Sequence, residues 1–192
     1  MVISTAQARF LAIVPHISGA IGLPCSLLLL SEIILLHRRG EGNTILRALG
    51  GITLFSALDQ LGWFLSTWAA PEGSWEFSKG NTQTCDFQGF LLQVVVSAPL
   101  FSCANAFYFY LIVIDTPEHR INRIETVVGS LIVAYGFGTA FWLLFKEQYN
   151  HIGAVCWTNG YPAGCGDSTY FGSDVPCERG NWAWLYGTSF SS

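Results

Sequence analysis

The chain has 192 residues, of which 51% are hydrophobic and 11% charged, and its formal net charge is −4. Ordinary globular chains carry about a quarter charged residues, so a deficit of this size calls for a solvent other than water. The small, dispersed negative balance, with no basic run interleaved with aromatics, excludes a nucleic-acid partner, and the length allows one domain.

Four apolar runs follow in chain order, at about 10–36, 46–70, 87–114 and 126–145. Each reaches the ~20 residues that cross about 30 Å of hydrocarbon as a helix. The expected fold is therefore an all-α membrane protein. It is a multi-pass helical bundle with four complete transmembrane helices and the start of a fifth, in a single membrane domain over residues 1–192.

The first run is too long for a signal-peptide core and has no clear small-residue cleavage site, so it is expected to stay as an uncleaved anchor. His16, beside Pro15, falls near one membrane surface and reads as an interfacial residue. Ser18 and Gly22 lie four apart, as small residues do where another helix approaches. Pro24 is a candidate kink, and Glu32 sits near the far end, where it snorkels to the interface. The connector "HRRGEGNTILR" then brings Arg38, Arg39 and Arg47.

The second run, "ILRALGGITLFSALDQLGWFLSTW", carries Asp59 near its middle. A carboxylate at the bilayer centre costs about 2.5–3.5 kcal/mol on insertion scales, so Asp59 is expected to face the bundle. Counted inward at about 1.5 Å per residue, Ser26 and Ser97 lie at comparable depth. Two readings stand: a carboxylate that holds a cation, and a protonated aspartate that makes one structural hydrogen bond.

The third run shows Ala98, Ser102 and Ala106 at spacing four, a second seam of small residues. Pro99 is a candidate kink, and Asn105 is expected to bond across to another helix. The connector "DTPEHRINR" adds Arg120 and Arg123. The fourth run leads into residues 146–181, a long stretch rich in Gly, Asp, Ser and Pro with no helical period. Beyond it, "WAWLYGTSFSS" opens a fifth apolar stretch of eleven residues, about 16 Å of helix. That is too short to cross, so it is expected to lie at the outer interface.

The two short connectors hold Arg38, Arg39, Arg47, Arg120 and Arg123, whereas Arg9, Lys79, Lys146 and Arg179 are spread over a terminus and two longer loops. This bias puts the short loops in the cytoplasm and the N-terminus outside. Trp68, Trp75, Trp157, Trp182 and Trp184 cluster at the outer ends, where an indole is buried and its N–H stays wet. Cys85, Cys156, Cys165 and Cys177 fall on the same outer face, while Cys25 and Cys103 lie inside helices. Four thiols on the oxidising side make two disulfides, with three pairings open. Zinc is the rival, with only His151 to add. A bond from Cys156 to Cys85 would tie the long loop over the bundle and let Trp157 cap the outer mouth.

A cysteine at the outer start of the third helix ("NTQTCDFQGFLLQ"), a Cys-Trp step after the fourth ("GAVCW") and tryptophans opening a fifth ("NWAWLYG") together resemble seven-helix G-protein-coupled receptors. The Cys-Trp step followed by a Trp pair is similar to the secretin-like and cyclic-AMP-receptor-like branches, as found in receptor-like proteins of microbial eukaryotes. The second run also resembles the second helix of that superfamily, with Asp59 near the acidic position of rhodopsin-like members. The resemblance implies a sodium-linked switch at Asp59, a Cys85–Cys156 pair that leaves Cys165 to Cys177, an extracellular ligand and a heterotrimeric G protein at the cytoplasmic loops. The third run departs from the pattern: it ends "FYFYLIVIDTPEHRINR", without an Asp/Glu-Arg-Tyr triplet.

No His-Glu-x-x-His, Gly-x-Ser-x-Gly or phosphate-binding glycine loop is present, so the chain reads as a non-enzyme without cofactor or metal. The function expected is receptor-type signalling at the plasma membrane. The resemblance implies the N-terminal portion of such a receptor, and these 192 residues alone are not expected to transmit a signal; either rapid degradation or association with a second copy or a full-length paralogue is expected. The alternatives are a small transporter or channel subunit using Asp59 and a four-helix membrane scaffold. Tetraspanins carry their Cys-rich loop between helices three and four and claudins between one and two, whereas here it follows helix four.

Overall fold

The computed structural model describes residues 5–162, 165 and 176–180. The partial fifth helix, with Trp182 and Trp184, lies outside the described residues. Among the described residues there are five α-helices, α1 Thr5–Arg38, α2 Thr44–Leu65, α3 Thr82–Val95, α4 Ala98–Val113 and α5 Glu118–Phe145, with α4 continuing the span that α3 begins. A 3₁₀ turn, Ser66–Ala69, continues α2. A hairpin of β1 (Tyr149–His151) and β2 (Cys156–Thr158) follows α5. Four segments are long and apolar enough to cross a membrane: Thr5–Arg38, Thr44–Ala69, Thr82–Val113 and Glu118–Phe145.

The helix ends follow from local chemistry. Asn43 caps α2 by accepting from the Leu46 N–H at 2.8 Å, and Asn81 and Thr84 form a reciprocal capping box at the start of α3. α5 begins eight residues before the expected 126. Its first turns, "EHRINRIE", are helical but charged, so an apolar run reports only the part suited to hydrocarbon. α3 starts five residues early for the same reason. Residues 146–181, expected to lack regular structure, contain the hairpin; its strands are too short to show a period.

The third run is two helices, not one kinked helix. Pro99 has no N–H to continue the ladder. Around it the Val96 and Ser97 N–H groups bond three residues back, to Gln93 and Val94. The Ser97 hydroxyl also donates to the Val94 carbonyl at 2.7 Å. α1, in contrast, runs unbroken through Pro15 and Pro24.

α1 meets α2 closely at Gly19, where an added Cβ would stand 2.6 Å from the Phe64 Cα. Phe55, Val94 and Ala140 form one core cluster, and Ala48, Ala104, Tyr108 and Ile132 a second. The small-residue seam expected on the third run is not the packed face. Ser102 and Ala106 are exposed, and α4 instead buries Ala104, Tyr108 and Leu111. Ser18 is exposed too, and Gly19 takes its place. Large apolar side chains point outward along the helices, among them Phe10, Ile21 and Leu28 on α1 and Leu131 and Phe145 on α5.

Candidate functional site

The hairpin is held at one end of the bundle by a disulfide from Cys85, in the first turn of α3, to Cys156, the first residue of β2, with a Cα–Cα distance of 5.2 Å. Cys165 pairs with Cys177. These are the pairs that the resemblance implies. Cys25 and Cys103 are free.

One helical turn beyond Cys85 lies Gln88, fully buried. Its amide N–H₂ donates to the carbonyls of Gly62 and Ser66, both at 2.9 Å. Its carbonyl accepts from the Cys156 N–H at 2.8 Å. A helix leaves its last carbonyls without partners. The Ser66 N–H already caps the Gly62 carbonyl; Gln88 adds a second donor there and one at Ser66, and ties that end of α2 to the hairpin. The Ser66 hydroxyl lies 3.2 Å from both the Ala12 and Ala154 carbonyls; its single proton serves one of them at a time. Tyr149 is buried against Gly89, where a Cβ would fall 2.6 Å from the ring Cγ. Its hydroxyl donates to the Ala140 carbonyl, and burial, with the nearby Asp86 charge, pushes its ionisation well above the usual tyrosine range.

Trp157 does not act as a lid. Its indole N–H donates to Gln93 at 3.1 Å, and Gln93 in turn donates to the Thr139 hydroxyl. Trp157 therefore bridges the flank between α3 and α5.

Between the hairpin and the α2–α3 connector lies a pocket of about 370 Å³, lined by Glu72, Thr82, Tyr149, His151, Tyr161 and Arg179 among others. That volume suits a small molecule. Arg179 pairs with Asp86 at 3.0 Å and approaches Glu147 at 3.8 Å. Burial lowers the His151 pKa, so its imidazole is neutral at pH 7. The cationic side of the pocket is thus already matched, while the Glu72 carboxylate faces it without an ion pair among the described residues.

Asp59 is half-buried on α2, with the Trp63 indole one turn on as its hydrogen-bonding neighbour. No hydrogen bond among the described residues joins it to Ser26 or Ser97. Ser97 is spent on Val94 in the α3–α4 break, so the three residues do not form one site. Among the described residues Asn105 makes no bond across helices, and its Oδ1 has no partner. His16 packs against the end of α2, with Nδ1 2.6 Å from the Phe64 carbonyl oxygen and its ring 4.2 Å from that of Trp68.

At the opposite end the arginines are not mainly loop residues. Only Arg39 lies in a connector; Arg38 closes α1, Arg47 sits in α2, and Arg120 and Arg123 sit in α5. The connectors are shorter than the apolar runs suggested, because the helices continue past them. Arg47 clamps α2 to α5, donating to Glu125 at 2.9 and 2.6 Å and to Asn122 at 2.6 Å. The other four make no ion pair among the described residues.

The residues that build the hairpin end, Gln88, Gln93, Ser66 and Tyr149, were not singled out from sequence. Two glutamines in "FQGFLLQVVV" were the available signal, since an amide in an apolar span must find partners. Asp86 and Arg179, 93 residues apart, carry no such signal. No family model, no curated protein and no solved structure matches the chain.

Proposed function

We propose that the chain is a multi-pass plasma-membrane protein of receptor type, with its N-terminus and hairpin outside. It takes a small extracellular ligand at the hairpin end and engages a heterotrimeric G protein through the arginine end. The outward apolar side chains support the bilayer as solvent, since a helix bonds its backbone polar groups within itself. The observation that carries the receptor reading is the Cys85–Cys156 bond. It fixes the segment after the fourth span onto the third, and Cys85 lines the pocket between the hairpin, the α2–α3 connector and the start of α3. Ligand-dependent signalling needs a bundle with two packings, biased at one end and read at the other. The α3–α4 break at Ser97–Pro99 is a place where the third span can bend between them.

The test has two parts. An N-terminal epitope should be labelled by antibody on intact cells; labelling only after permeabilisation would reverse the topology. The chain in nanodiscs with a purified heterotrimer should accelerate nucleotide exchange, and charge removal at Arg120 and Arg123 should reduce that acceleration. No exchange, together with a cation flux into liposomes that Asp59→Asn abolishes, would replace the receptor reading with a transport one.

A further inference from the structure

We infer that the groove between α1 and α2 at the arginine end binds one anionic phospholipid. The groove measures about 330 Å³ and is lined by Leu30, Ile33, Ile34 and Leu46, with His37, Arg38 and Arg47 at its rim and Gly50 in its wall. Its polar and apolar parts are separated along the helix. Leu30 to Arg38 is eight residues, about 12 Å at 1.5 Å each, so a phosphate held at Arg38 leaves the upper part of an acyl chain lying on Ile34 and Leu30. Ile34 is 45% exposed and offers that chain a surface.

Charge decides the headgroup. No carboxylate lines the groove; Glu32 and Glu41, the nearest in sequence, are outside its lining. Arg47 is neutralised by Glu125, whereas Arg38 has no ion pair among the described residues. One uncommitted guanidinium, with His37 as a second donor, matches one phosphodiester. A basic pocket between membrane helices on the cytoplasmic side is the general form of such a site. Gly50 keeps the wall low: an added Cβ there would touch only Ile33 Cγ2, at 3.4 Å. A larger side chain would therefore fill the groove without disturbing the helix pair.

The inference rests on the chain spanning a bilayer, and the experiment separates the two claims. The full chain, expressed in membranes, is first washed with alkaline carbonate; release into the wash would overturn the membrane reading itself. Protein purified in neutral detergent is then titrated with phosphatidylglycerol or phosphatidylcholine of identical acyl chains, and retained lipid is counted by native mass spectrometry. One phosphatidylglycerol per chain is expected, bound in preference to phosphatidylcholine. Arg38→Gln should weaken retention about five-fold or more, from roughly 1 kcal/mol per basic residue at the surface. Arg120→Gln, which removes the same charge elsewhere, should leave retention unchanged. Gly50→Leu should weaken it with no change in charge. Glycerol 3-phosphate, the headgroup chemistry without acyl chains, should not compete. Equal losses for Arg38→Gln and Arg120→Gln, equal retention of the two lipids, full retention by Gly50→Leu, or competition by glycerol 3-phosphate would each overturn the site.

Discussion

The two ends of the bundle are held by different forces. At the hairpin end the fixings are a covalent bond and buried, uncharged hydrogen bonds: Cys85–Cys156, Gln88 to three backbone groups, and Tyr149 to Ala140. At the other end they are ionic and partly wet: Arg47 with Glu125, whose side chains are 36% and 16% exposed. The hairpin end should therefore respond to reductant, with salt acting there only through the Asp86–Arg179 pair, whereas the arginine end should respond to salt and not to reductant. The proposed receptor role would use that asymmetry: one end shaped to hold a pocket, the other loose enough to repack.

The largest effect expected is loss of the staple. In the chain-entropy account a cross-link spanning 71 residues contributes about 4 kcal/mol, and one spanning 12 residues about 3 kcal/mol. Cys85→Ser should lower the unfolding temperature of detergent-purified protein more than Cys165→Ser. Cys85→Ser and Cys156→Ser should be equivalent, and the double variant no worse than either. If the double variant falls further than the singles, the two thiols have other partners and the hairpin is held differently.

Gln88→Leu comes next. It leaves the Cys156 N–H buried without a partner and removes one donor from each of the Gly62 and Ser66 carbonyls, of which Gly62 keeps the Ser66 N–H. At about 1–3 kcal/mol for an unsatisfied group, the cost is about 2 kcal/mol. The change should speed amide exchange at Cys156 and in the last turn of α2, with little effect at α5's first turn. Uniform loss of protection at both ends would show that the ends are not independent.

The ionic end should yield less. A partly exposed pair is worth about 1 kcal/mol or less. A double-mutant cycle with Arg47→Met and Glu125→Gln should give a coupling of that size at low ionic strength, and it should shrink with added salt. Coupling that survives salt unchanged would mean the clamp is as dry as the hairpin end.

Much of the fold was legible in the sequence, and the reason is physical. Hydrocarbon imposes a length and a composition that a one-dimensional reading can count, so the four spans stood out from apolar runs alone. The early starts of α3 and α5 were not legible, because the helices continue into water with charged turns that no apolar count registers. Pro99 was read as a kink, yet whether a proline bends or breaks a helix depends on what replaces the lost bond. At Pro99 the Ser97 hydroxyl and two three-residue bonds stabilise a break, while α1 absorbs Pro15 and Pro24. Depth counting placed Asp59, Ser26 and Ser97 on one level, but depth is one coordinate of three, and the side chains do not meet. The reverse holds for Gln88, whose role depends on α2 ending beside it, a fact of tertiary packing.

The smallest effect expected is a pH response at the hairpin end. His151 is partly buried beside Tyr161, and burial lowers its pKa below the ordinary 6.5. With the folded value depressed, the unfolded chain binds the proton more readily. Stability is therefore full above about pH 6.5 and falls as the pH drops through that value toward the folded pKa. Tyr149 gives the opposite slope at the other extreme: its raised pKa means that stability is full below about pH 10 and is lost as the pH rises beyond it. Between those limits neither group should contribute a slope. Melting temperatures of the wild-type chain and of His151→Gln, followed from pH 7 to pH 5, should diverge, the wild type falling more steeply. The arginine end supplies the control, since the Arg47→Met variant keeps His151 and should keep the wild-type slope below pH 6.5. Parallel curves for wild type and His151→Gln would place the acid sensitivity elsewhere, with the Asp86–Arg179 pair beside the same pocket as the next group to test.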